Sequence, residues 1–64
     1  MDIDSEKDKI NFHIVKGNYH AAINLAISAL NECRRNNDQS SIDTFLDILS
    51  DIVQIMTDEF GRKP

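Results

Sequence analysis

The stretch "IDTFLDILSDIVQIM", Ile42–Met56, decides the fold. Set Ile42, Leu49 and Met56 at heptad position a; Phe45 and Ile52 then fall at d, Leu46 and Val53 at e, and Ile48 and Ile55 at g. Every other position from Asp43 to Asp58 is polar. Apolar residues recurring at spacings of three and four put the segment on a helix with one dry side. That side covers a, d, e and g, which is wider than the stripe of an ordinary surface helix or the seam of a two-stranded coil. Such a helix needs neighbours on both flanks.

Upstream, "AAINLAISAL", Ala21–Leu30, makes the same demand. Tyr19, Ile23, Ala26, Ile27, Leu30 and Cys33 follow at helical spacing, and only Asn24, Ser28, Asn31 and Arg35 mark a wet side. Between the two segments, "RRNNDQSS" reads as a turn. Arginines suit the negative end of a helix dipole, and Asn, Asp and Ser favour turns and caps. Gly17 ends a shorter first helix, because glycine enters the left-handed conformation without a side-chain clash. Ser5 with Asp8 forms a capping box at that helix's start, Asn18 caps the second helix, and Ser40 with Asp43, or Ser41, opens the third. The expected helices are 6–16, 19–35 and 41–59, in one domain spanning residues 1–64. The fold class is all-α: a short N-terminal helix plus an antiparallel helical hairpin.

At 64 residues a monomer hides only about 60% of the surface its unfolded chain exposes. Small folds compensate with disulfides, metals or oligomerisation. A lone Cys33 gives no intrachain disulfide and is best read as a small hydrophobe in the core. His13, His20 and Cys33 are too few and too scattered for a zinc site, so no metal or cofactor is expected. A second copy is the remaining remedy, and an isologous pair is the commonest closed arrangement. Two hairpins face to face would make a four-helix-type bundle. The expected dimer interface is Ile23, Ile27, Leu30, Phe45, Leu46, Ile48, Leu49, Ile52, Val53, Ile55 and Met56.

Charge is uneven. Residues 1–35 are balanced, and the entire net charge of −4 lies in residues 36–64. An acidic chain without a basic stripe lacks the usual electrostatic footprint of nucleic-acid binding. The opening "MDIDSEKDKI" has neither the basic nor the apolar character of a targeting segment, and no apolar run reaches the ~18 residues of a membrane span. The expected location is the cytoplasm, which one unpaired thiol also suits.

Asp43, Asp47 and Asp51 recur every four residues and Asp58 continues the face, with no lysine or arginine between residues 36 and 61. Like charges at that spacing destabilise a helix slightly. A docking edge for a basic partner would account for the row; a solvated face that keeps the dimer soluble is the plainer account. His13 and His20 flank Gly17 as surface histidines. Phe12 and Tyr19 are expected to cap the open end of the core. Catalysis has little foundation: no serine or threonine has a histidine base at a recognisable spacing, no glycine-rich phosphate loop occurs, and the carboxylates line one face without converging. The chain is expected not to be an enzyme.

Three resemblances follow from these segments. "GNYHAAINLAISAL", Gly17–Leu30, resembles the second helix of a tetratricopeptide repeat, with Ala22, Ala26 and Ala29 at its small-residue positions. This implies a protein-binding role. The preceding "SEKDKINFHIVK" lacks the tryptophan, leucine and glycine of that repeat's first helix. In its layout of two long helices and its "DEFGRKP" ending, the chain is similar to the Rop-like hairpins. That likeness implies a dimer that binds paired RNA loops; the Gly17 break departs from that family's uninterrupted first helix, its RNA-contacting positions have no counterpart placed here, and Lys7, Lys9, Asn11 and Lys16 would form a small polar and basic surface near the N-terminus. "INLAISAL" through "FLDILSDIVQIM" is similar to the helical dimers of the YmgB/AriR connector group, implying a regulator that acts by protein contact. The expected function is a small regulator or adaptor acting through helix association. The alternatives are the RNA-binding hairpin and an antitoxin- or secretion-chaperone-type partner of one client.

Overall fold

The computed structural model describes residues 2–60, and among them the fold is all-α. Helix α1 spans Ile3–Val15, α2 Tyr19–Arg35 and α3 Gln39–Phe60. The second helix falls where the pattern places it. The other two begin earlier than expected, for the same local reason. Asp2 caps α1 by accepting the Ser5 amide at 3.4 Å, and Asp38 accepts the Ser41 amide at 3.3 Å and the Ser41 hydroxyl at 2.7 Å. Ser5, Ser40 and Ser41 therefore lie inside their helices, and the expected Ser5–Asp8 capping box does not form. At α2 the expected cap, Asn18, accepts the Ala21 amide at 3.4 Å. Each cap takes the amide three residues ahead, one of the donors a helix start leaves unsatisfied.

Both turns are built alike. In the first, the Gly17 amide reaches Ile14 O and the Asn18 amide reaches His13 O; in the second, the Asn37 amide reaches Arg34 O and the Asp38 amide reaches Cys33 O. These paired bonds are the Schellman arrangement, which needs a left-handed residue at its bend. Gly17 supplies φ +78° and Asn37 supplies φ 55°. In each turn the residue after the bend is also the cap of the next helix, so three residues reverse the chain.

Two reversals make α1 and α3 each antiparallel to α2 and parallel to each other. Tyr19, at the start of α2, meets Glu59 near the end of α3, and Glu6 of α1 borders Ser28, Ala29 and Glu32 in the second half of α2. Both outer helices pack along α2 and barely meet each other. The central helix accommodates two neighbours through a row of small side chains: Ala22, Ala26, Ala29 and Cys33 are buried. Around that row the core receives Ile10 from α1 and Phe45 and Ile52 from α3. These three large side chains are each worth about 1.5–3 kcal/mol on burial. The radius of gyration is 12.3 Å, against about 10–11 Å for a compact chain of this length. An elongated shape with so few fully buried large residues leaves apolar surface uncovered.

Candidate interaction surfaces

The expected dimer surface divides three ways. Phe45 and Ile52 are wholly buried within the chain itself, so they leave that surface: α2 already covers them. Ile23, Leu30, Ile48, Leu49 and Met56 are half-buried against the same core, and Ile55 is half-buried. Ile27, Leu46 and Val53 remain exposed at 43%, 48% and 55%. Leu46 and Val53 stand seven residues apart, two turns along one flank of α3. These three form the uncovered part of the α2–α3 hairpin.

A second surface lies on the other flank of α3. Because α1 and α3 both lean on α2 without packing together, a cleft of about 320 Å³ opens between them. Ile10, Ile14 and Ile48 are its apolar floor, and Lys7, Asp8, Asn11 and Asp51 line its rim. Ile48 sits about 160° around the helix from Leu46 at 100° per residue, so the cleft and the exposed hairpin flank are separate. Sequence spacing gives α1 as a short helix but says nothing of the gap, which depends on how α2 holds its two neighbours apart.

The acidic row is exposed throughout. Two of its members are tied locally: Gln39 donates to Asp43 at 2.9 Å and Gln54 donates to Asp58 at 3.4 Å. These amides take some of the electrostatic load that no lysine is present to take. Asp47 and Asp51 lie between them, and Asp51 also belongs to the cleft rim.

The basic residues do not form one surface. Lys9 pairs with Glu6 at 3.2 Å, Lys16 lies over the Phe12 ring at 5.4 Å, and Lys7 and Asn11 face the cleft. Phe12 does not cap the core as expected; it is 57% exposed on the outer side of α1, edge-on to His13, near Val15 at 77%. Tyr19 does pack against the core, and its hydroxyl donates to Glu59 at 2.9 Å. That bond holds the phenol's pKa above its ordinary 10.0. At the other end of α2, the Arg35 guanidinium beside Glu32 holds its carboxyl below the ordinary 4.5. Cys33 is a buried free thiol, as expected.

No protein-family model, curated protein or solved structure matches the chain. Among the described residues, no three His, Cys, Asp or Glu side chains gather where a metal could sit, and no helix is long and apolar enough to cross a membrane. The described residues present three surfaces: an apolar hairpin flank, a polar-rimmed apolar cleft and the exposed acidic row.

Proposed function

We propose that the chain is a small non-enzymatic regulator or adaptor of the cytoplasm that works by helix association, first with a second copy of itself. The observation that carries this reading is the exposure of Leu46 and Val53 on one flank of α3, together with that of Ile27 on α2. Large aliphatic side chains bring about 1.5–3 kcal/mol each when covered, a substantial share of a stability that is about 5–15 kcal/mol for ordinary domains. An isologous pair joining this flank to itself covers all six side chains at once. The acidic row then remains on the outside, where a basic partner surface meets Asp43, Asp47 and Asp51.

Sedimentation equilibrium across a concentration series tests the first part. The chain should approach twice its 7.3 kDa mass, and a Leu46→Ser, Val53→Ser double variant should stay at the single-chain mass while keeping its helical signal. A wild-type chain that remains a folded monomer at the highest concentration would defeat the reading. For the second part, replacing Asp43, Asp47 and Asp51 together with asparagine should weaken partner capture and leave the fold intact; unchanged capture removes the row from the mechanism.

A further inference from the structure

We propose that the cleft between α1 and α3 is a docking groove for one basic amphipathic helix of a partner protein. This rests on the reading that the chain acts by helix association, and it names the occupant and its seat. Its walls are two parallel helices, so the groove runs along their axes; a third helix lies in such a groove at a small crossing angle. On α1 the lining runs from Lys7 to Ile14, a wall about 10 Å long at about 1.5 Å per residue, room for about two turns of a guest.

The floor and rim specify what enters. Ile10 and Ile14 are four residues apart on α1 and Ile48 faces them from α3, a spacing that receives side chains at i, i+3 or i+4 and i+7 of a guest helix. Lys7 stands on the α1 rim and Asp51 on the α3 rim. Neither forms an ion pair or side-chain hydrogen bond within the described residues. Asp8 beside Lys7 leaves the α1 rim near neutral, so Asp51 sets the sign of the rim. The wider field decides the guest's sign: α3 carries Asp43, Asp47, Asp51, Asp58 and Glu59 and no lysine or arginine. At 100° per residue, Asp51 falls about 60° from Ile48 and about 140° or more from Leu46 and Val53, while Asp47 points outward, about 100° from both Ile48 and Leu46. A guest with lysines beside its apolar stripe is drawn to this flank by long-range attraction and held by the floor.

The test uses the full chain with labelled isoleucine methyls and a synthetic helix of about 18 residues, long enough to hold helical structure, with leucines at i, i+3, i+4 and i+7 and lysines elsewhere. Titration should move the Ile10, Ile14 and Ile48 methyls and leave Ile27 in place. Asp51→Lys should weaken binding by about tenfold, and a peptide with glutamates in place of the lysines should not bind. Binding should survive in the Leu46→Ser, Val53→Ser background, which separates this proposal from self-association: a dimer with a silent cleft sinks the groove alone, and a monomer with an occupied cleft sinks only the dimer. Shifts confined to Ile27, or an Asp51→Lys variant of unchanged affinity, overturn the groove. So does movement of the cleft methyls when the chain alone is concentrated, because the occupant is then a second copy.

Discussion

The Tyr19 hydroxyl donates to the Glu59 carboxylate at 2.9 Å across 40 residues of sequence. This contact fastens the far end of α3, nearly two helical turns beyond Ile52, back to the start of α2. A helix end without packed neighbours frays, because its terminal carbonyls lack partners.

Tyr19→Phe should leave the core intact and increase amide exchange selectively in the last two turns of α3, with a small fall in Tm. The bond also has a pH signature. Glu59 raises the phenol's pKa above 10.0, so the folded state favours the neutral hydroxyl. That contribution is fully present below pH 10.0 and disappears as pH rises through the raised value. Glu32 behaves oppositely: held below 4.5 by Arg35, it contributes above pH 4.5 and loses that contribution as pH falls through the lowered value. Thermal melts of Tyr19→Phe and Glu32→Gln against the parent should lose only the alkaline and only the acid component, respectively.

Phe45 and Leu46 are adjacent in sequence and opposite in fate. Phe45 is wholly buried and Leu46 half exposed. Phe45→Ala should cost about 3–5 kcal/mol through lost contacts and a residual cavity, enough to leave the chain largely unfolded in urea titrations started at low concentration. Leu46→Ser should change single-chain stability by less than about 0.5 kcal/mol and act on association. Equal destabilisation by both would mean that Leu46 is covered and the hairpin flank is not free.

The helix caps are the next check, and they show what the sequence makes legible. Asp38→Ala should cost about 0.5–2 kcal/mol, while Ser40→Ala should be almost silent in a denaturation curve. Asp38, Ser40 and Ser41 are all good cap residues within four positions, so residue type alone cannot choose among them. The choice follows from Asn37, whose left-handed backbone ends α2 and leaves Asp38 next in line. Gly17 and the apolar period of Ile42–Met56 are unambiguous by comparison, and the helix count and the buried side of α3 follow from them. The apolar period marks Phe45, Leu46, Ile52 and Val53 alike as dry. Only the position of α2 separates the two that are buried from the two that are not. The cleft is illegible for the same reason: its floor comes from Ile10, Ile14 and Ile48, and no spacing rule links residues on two helices that barely meet.

At the two bends the conformational demand is equal and the residues differ. Nothing lies within 4 Å of where a Cβ on Gly17 would stand, so Gly17→Ala meets no clash and should cost only the left-handed backbone strain, about 1–2 kcal/mol. Asn37→Gly relieves that strain at the second bend and gives back part of the gain through a more flexible unfolded chain. Chemical denaturation should place the two substitutions on opposite sides of the parent, or Asn37→Gly level with it.

The acidic row makes a prediction about stability that also bears on its purpose. Asp47 stands four residues from both Asp43 and Asp51, and no lysine or arginine of α3 relieves the repulsion. Gln39 and Gln54 hold the side chains of Asp43 and Asp58, leaving the middle of the row as its most strained part. Asp47→Lys converts two repulsive pairs into two attractive ones, each worth about 0.2–0.5 kcal/mol on a helix surface. The variant should melt higher than the parent in dilute buffer, and added salt should narrow the gap because these exposed charges are screened. A row that served only to keep the chain dissolved would tolerate that exchange. A row that steers a basic helix would not: the stabilised variant should bind the lysine-bearing peptide more slowly. A higher melting point together with a reduced association rate would show that the repulsion is retained for recognition.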